Sequence, residues 1–256
     1  MNTVLAYEVI GTGDATVVFI HGFTQTRASW RVIADLLVAH VPDVRCVLVD
    51  LPGHGESREV SLNLAETAEQ VVSFTERATY VGYSLGARVV AQAVAHHPER
   101  VLRAALVSGT AGIEPPRERS ERASADDALA ERIIRIGVTA FLDEWLAQPL
   151  FAGLSPEVAQ LVERRSNTAL GLADSLRRCG QGQQPPLWNE LAQSTVPLLA
   201  IAGSRDVKYV QVARRLAANT PHGTLRIIDG AGHSAHLEQP KTVAEELRYW
   251  MTNPTT

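Results

Sequence analysis

Cysteine is scarce: the chain holds only Cys46, inside an apolar run, and Cys179, in a polar segment. Neither belongs to a Cys-x-x-Cys or Cys/His cluster, which excludes a cysteine-built metal or redox centre and leaves two buried or free thiols. Excess positive charge is lacking too. Lys plus Arg number 24 against 28 Asp plus Glu, a balance of −4. The summed field offers nucleic acid or an anionic membrane no attraction, and any anionic ligand has to be held by local groups. No apolar run approaches the roughly 20 residues that cross a bilayer. Met1-Asn2-Thr3-Val4 opens no basic stretch followed by an apolar one. Internal repeats, low-complexity tracts and long disordered linkers are absent as well. These absences point to a soluble protein of the reducing cytoplasm, with no nucleic-acid or membrane partner; they imply no oligomeric state.

What is present suits one catalytic domain with an insertion: 256 residues, 45% hydrophobic and 20% charged. Short β-branched runs alternate with helical patterns: Val17 to Ile20, Trp30 to His40, Arg45 to Val49, Leu62 to Arg77, Thr79 to Val81, Leu85 to His97, Val101 to Val107. Such alternation predicts a mostly parallel central sheet flanked by helices. Val4 to Ile10, ended by Gly11-Thr12-Gly13-Asp14, predicts an opening strand with a hairpin-type turn, an antiparallel edge on that sheet. From Gly109 to about Gln193 the strand signal disappears. Charged helices take its place, separated by Pro115-Pro116, Gln148-Pro149, Ser155-Pro156 and Gln184-Pro185-Pro186. Strands return at Val196 to Ala202 and Thr224 to Ile228, with helices over Val207 to Asn219 and Val243 to Met251. The expected organisation is a core in two parts, 1–108 and 194–256, with a helical cap inserted over 109–193.

A serine hydroxyl reacts at neutral pH only beside an imidazole, and the imidazole needs an acid to fix its tautomer. Ser84 lies in Gly82-Tyr83-Ser84-Leu85-Gly86, after an apolar strand and at the start of a helix, where small flanking residues allow a strained turn that exposes the hydroxyl. Asp206 and His233 each follow a later strand, and loops at the carboxyl ends of parallel strands meet on one rim. A surface or helix-capping aspartate is the competing reading of Asp206; the order Ser, Asp, His and the preceding buried strand favour the catalytic one. Charge developing on a substrate oxygen needs fixed N–H donors. The backbone amides of Phe23, in His21-Gly22-Phe23-Thr24, and of Leu85, at the helix start, are the candidates. His233-x-x-His236 has a metal-like spacing without a ligand cluster, so His236 is expected to bond backbone or solvent and no metal is expected. The turn Asp50 to Ser57 is given a structural role.

Phe19 to Phe23, Leu51 to Gly55, Val81 to Arg88 and Gly230 to His236 together resemble the α/β-hydrolase fold. More narrowly, Gly82 to Arg88, Glu118 to Arg132, Trp145 with Gln148 to Ala152, Arg165-Ser166-Asn167, Gln184 to Trp188 and Asp206 to Tyr209 resemble the 2-succinyl-6-hydroxy-2,4-cyclohexadiene-1-carboxylate synthases of menaquinone biosynthesis, over nearly the whole chain. That resemblance implies a small anionic substrate with three carboxylates, 2-succinyl-5-enolpyruvyl-6-hydroxy-3-cyclohexene-1-carboxylate, and a carbon-oxygen lyase that uses no cofactor. It places Arg88, Arg122 and Arg165 at carboxylate-binding positions, as their planar guanidinium forks suit. Trp145 and Trp188 either line the pocket or hold the cap to the sheet. Two rivals share these residues: a serine hydrolase of carboxylic esters or lactones working through an acyl-enzyme, and a ligand-binding protein without catalysis.

Overall fold

A computed structural model describes residues 5–155 and 157–253. Its strands are β1 (Tyr7–Ile10), β2 (Ala15–Ile20), β3 (Val44–Val49), β4 (Ala78–Tyr83), β5 (Val101–Val107), β6 (Leu198–Gly203) and β7 (Gly223–Ile228). The α-helices are α1 (Arg31–His40), α2 (Leu64–Val72), α3 (Leu85–His96), α4 (Pro116–Leu146), α5 (Leu161–Arg164), α6 (Ala169–Cys179), α7 (Trp188–Gln193), α8 (Val207–Asn219), α9 (Ala235–Glu238) and α10 (Pro240–Thr252). The strands form one sheet in the order β1-β3-β2-β4-β5-β6-β7. All its pairings are parallel except β1 with β3. This is the α/β-hydrolase architecture, a mostly parallel sheet between helical layers with α4 in a cap.

The period of two along each strand divides the core. Val18 and Ile20 of β2 face the layer of α2, α3, α7 and α8. Val17 and Phe19 face α1 and α10. The cap has a small core of its own, where Ala130, Ile133 and Phe141 of α4 meet Leu172 and Leu176 of α6.

Two local expectations are corrected. The described part of the opening strand begins at Tyr7, with Val4 outside the described residues, and β1 does not form a hairpin with β2, because β3 lies between them. The Gly11 to Asp14 turn is instead anchored on the start of β3: Ala15 N–H donates to Asp43 O at 2.9 Å, and a Cβ at Gly13 would lie 2.0 Å from the Asp43 carbonyl carbon. Helix α2 ends at Val72 rather than Arg77, because the Ser73 hydroxyl and N–H both turn back onto Gln70 O. In the cap, α4 is broken at Gly137 (φ 78°, ψ 167°). The expected boundary at Ser155-Pro156 falls in part outside the described residues, at Pro156.

The strand order reverses between β2 and β4: the chain runs outward from β2 to β3, then returns to the other side of β2. Ligands of open parallel sheets bind at the carboxyl ends of the strands at such a switch point. Here the loops after β2 and β4 carry Phe23 and Ser84.

Candidate active site

Ser84 closes β4 and opens α3 with φ 51° and ψ −103°, a conformation costly for any residue with a Cβ. Its N–H donates to Val107 O at 2.9 Å and its carbonyl accepts from Arg88 N–H at 3.2 Å, so neighbouring backbone dictates the turn. Only glycine fits on either side: a Cβ at Gly82 would lie 2.3 Å from Gly86 O, and one at Gly86 would lie 2.1 Å from Ile20 O. Ser84 is half-buried and lines a cavity of about 430 Å³ under the cap.

Asp206, after β6, and His233, after β7, are both buried. Asp206 Oδ2 lies 2.6 Å from His233 Nδ1. A carboxylate there accepts the Nδ1 proton, which leaves Nε2 of the neutral ring with its lone pair. The other oxygen, Oδ1, accepts from Tyr209 N–H at 3.2 Å as the N-cap of α8. Asp206 is therefore both helix cap and partner of the imidazole. The His233 carbonyl accepts from the Ser108 hydroxyl at 2.7 Å, and the Tyr209 ring packs 4.6 Å from the imidazole.

Phe23 and Leu85 line the same cavity. Gly22, the residue before Phe23, lies beside Ser84, since a Cβ on Gly22 would come 3.4 Å from Ser84 Cβ. Leu85 is the first residue of α3, where N–H groups lack intrahelical partners. Trp145 forms part of the wall, edge-on to Phe23 at 5.5 Å, with its indole N–H buried and unpartnered.

Of the three arginines, Arg88 stands one turn beyond Ser84 and lines the cavity, 8% exposed, with Nη1 buried and unpartnered. Burial lowers its pKa, the lack of water around the guanidinium outweighing the nearby groups that favour its charge. Arg122 also lines the cavity, held by Asp126 Oδ1 and Gln181 Oε1, each at 2.8 Å. Arg165 is not brought to this cavity. The single turn of α5, entered through a left-handed Gln160 (φ 53°), puts Arg165 on the outer face, 3.9 Å from Asp143. Its neighbour Arg164 turns inward, 1% exposed.

Trp188 packs in the sheet core, donating to Gly112 O at 3.1 Å beneath the Arg215 guanidinium. His236 is buried and meets a side chain, Gln25 Oε1 at 3.2 Å, rather than backbone or solvent, because Trp30 and Tyr83 enclose its ring. Ser57 is buried and accepts from Ala6 N–H at 2.8 Å. Cys46 and Cys179 are buried free thiols, and Cys179 reaches the cavity wall.

Sequence reasoning overlooked Lys208 and Tyr209 as cavity residues. A signal was available: they occupy the first turn after Asp206, on the rim where the carboxyl ends of the strands meet. Among the described residues that line the cavity, Arg88, Arg122 and Lys208 are three cations, against Asp126, which is bonded to Arg122.

The chain matches the alpha/beta hydrolase family over residues 17–246. It is 34% identical over 262 residues to the 2-succinyl-6-hydroxy-2,4-cyclohexadiene-1-carboxylate synthase of Serratia proteamaculans, covering 98% of this chain and 99% of that one. Among solved structures it is similar to MenH from S. aureus, with TM-score 0.86 and 27% identity over 94% of this chain and 96% of that one. A thermophilic esterase from Thermogutta terrifontis shares the fold with TM-score 0.82 at 23% identity, over 98% and 94% of the two chains. The chain belongs to the alpha/beta hydrolase family, as an enzyme similar to the 2-succinyl-6-hydroxy-2,4-cyclohexadiene-1-carboxylate synthases.

Proposed function

We propose that this enzyme acts in menaquinone biosynthesis as a carbon-oxygen lyase, converting 2-succinyl-5-enolpyruvyl-6-hydroxy-3-cyclohexene-1-carboxylate into 2-succinyl-6-hydroxy-2,4-cyclohexadiene-1-carboxylate and pyruvate. The two ring names define the chemistry. A 3-ene becomes a 2,4-diene, so a proton leaves C2 and the enolpyruvyl oxygen leaves C5. The C2 proton is acidic because the succinyl carbonyl beside it accepts the charge.

In this reading Ser84, Asp206 and His233 form a triad. His233 Nε2 takes the hydroxyl proton of Ser84, whose oxygen removes the C2 proton, and Asp206 stabilises the imidazolium. The backbone N–H groups of Phe23 and Leu85 are the oxyanion donors to the succinyl carbonyl oxygen. The electrons move through the ring to C5, the C5–O bond breaks, and a proton from His233 converts the departing enolate to pyruvate. No acyl-enzyme forms, and the residues named here need no cofactor for this step. Arg88, Arg122 and Lys208 take the three carboxylates, and Trp145 closes the pocket wall.

The observation that carries the reading is Arg88. A buried guanidinium with an unpartnered Nη1 costs several kcal/mol unless an anion meets it, and it lines the cavity that holds Ser84 and His233. A neutral ester offers no such partner. The test is pyruvate release from the enolpyruvyl substrate, set against turnover of a nitrophenyl ester. Wild-type enzyme is expected to release pyruvate. Arg88→Ala should lower kcat/KM for the trianion by about 100-fold while changing ester turnover by less than about threefold. Ester turnover without pyruvate would establish the serine hydrolase reading instead.

A further inference from the structure

Phe23 is followed by Thr24, a buried β-branched residue in the left-handed region (φ 69°). Such a conformation persists only where surrounding groups over-determine it. Here every polar group of Thr24 is bonded outside its own loop. Its N–H donates to His54 Nε2 at 3.2 Å, from the turn after β3. Its carbonyl accepts from Asn167 Nδ2 at 2.8 Å, and its hydroxyl accepts from Arg164 Nη1. The last two partners belong to the cap. Asn167 also accepts from Gly55 N–H at 2.8 Å, so one amide side chain ties the cap to the turns after β2 and β3 together. Arg164 is anchored in turn on Ala159 O at 2.7 Å. On the other side of Phe23, Gly22 N–H donates to Gln25 Oε1 at 3.3 Å. The Phe23 ring rests against Trp145 and Phe141 of α4.

We propose that Arg164 and Asn167 are positioning residues for the reaction: through Thr24 they set the Phe23 peptide, so that seating of the cap and readiness of the oxyanion donor are one event. The inference rests on the assignment of the Phe23 amide as that donor. Its physical basis is the steepness of donor geometry, since a hydrogen-bond donor displaced by about 1 Å loses most of its effect on a developing charge. Among described residues, Arg164 has no carboxylate bonded to it. Bonds to Thr24 and Ala159, rather than an ion pair, therefore hold this buried cation in place, a costly arrangement on stability grounds alone.

Three variants are informative: Asn167→Asp, which keeps an acceptor for Gly55 N–H but loses the donor to Thr24 O, and the pair Arg164→Lys and Arg164→Met. Four quantities separate positioning from folding: kcat and KM for pyruvate release, the rate at which a fluorophosphonate labels Ser84, and the thermal midpoint. Asn167→Asp and Arg164→Met are expected to lower both kcat and the labelling rate by about 10- to 100-fold, with KM within about twofold. Arg164→Lys, which can still donate to Thr24, should recover at least part of both rates. Folded variants whose kcat and labelling rate stay within about twofold of wild type overturn the proposal. So does an Arg164→Lys protein no faster than Arg164→Met, a comparison that still decides if Asn167→Asp does not fold. A wild-type enzyme that releases no pyruvate, yet whose labelling slows in these variants, refutes the lyase reading and leaves the positioning role standing.

Discussion

Asp206 places its two oxygens on different tasks: one caps α8 through Tyr209 N–H and the other orients His233. Substitution can separate them. Asp206→Asn keeps a carbonyl oxygen for the cap but replaces the charge that stabilises an imidazolium. Pyruvate release should fall by about 10³- to 10⁴-fold with little change in thermal midpoint. Asp206→Ala should lose the same activity and also about 1 kcal/mol of stability, read by urea unfolding. Equal activity in wild type and Asp206→Asn would remove Asp206 from the mechanism. Sequence alone suggested both tasks as alternatives, because a polar residue after a buried strand and before a helix suits either. The two neighbouring arginines were less legible. Arg164 and Arg165 are chemically identical, and which of them turns inward depends on the left-handed Gln160 and the single turn of α5, neither of which has a pattern in composition or spacing.

Elements were legible where burial is two-sided. Strands β2 to β6 read as mainly apolar runs because most positions on both faces are covered, and α8 reads from the cap at Asp206 to its last turn. Pairing partners were not, since nothing in Tyr7 to Ile10 distinguishes β3 from β2 as a neighbour. The break in α4 was equally hidden: one glycine within a long helical pattern is tolerated in a helix. Gly137 adopts φ 78° and ψ 167°, a region open essentially to glycine alone, and a Cβ there would touch nothing within 4 Å. The two facts isolate backbone strain from crowding. Gly137→Ala should destabilise the bent cap by about 1–3 kcal/mol, or straighten α4 and pull Phe141 and Trp145 away from Phe23. Faster proteolysis within the cap, with pyruvate release reduced in parallel, is the expected result. An unchanged rate of both would show that the bend carries no strain and no function.

Across the whole molecule, the loops on the carboxyl rim are joined by neutral histidines. His21 accepts from Leu51 N–H at 3.0 Å while Nδ1 donates to Gly22 O at 2.8 Å. His54 accepts from Thr24 N–H while Nδ1 donates to Pro52 O at 2.9 Å. The turns after β2 and β3 thus exchange one histidine acceptor each, and a second ring proton on either would occupy the nitrogen that accepts. Burial is the main cause that lowers the His21 pKa to about 4 and that of His54 to about 3, and it holds His236 well below its ordinary value too. In the unfolded chain all three titrate near about 6.5. Between these limits the unfolded state binds more protons than the folded one, so stability is full above about pH 6.5 and falls as the pH drops toward the folded values. Each histidine adds a slope of up to about 1.4 kcal/mol per pH unit, beginning above the range where ordinary carboxylates titrate. Urea unfolding at pH 7.5, 6 and 5 should therefore show a steep loss before acid denaturation by carboxylates begins. His54→Gln, which keeps a side-chain acceptor and cannot be protonated, should be less stable at pH 7.5 but lose less between pH 6.5 and 5. A wild-type stability independent of pH over that interval would mean that these rings are not held neutral, and the histidine exchange between the two turns would lose its energetic role.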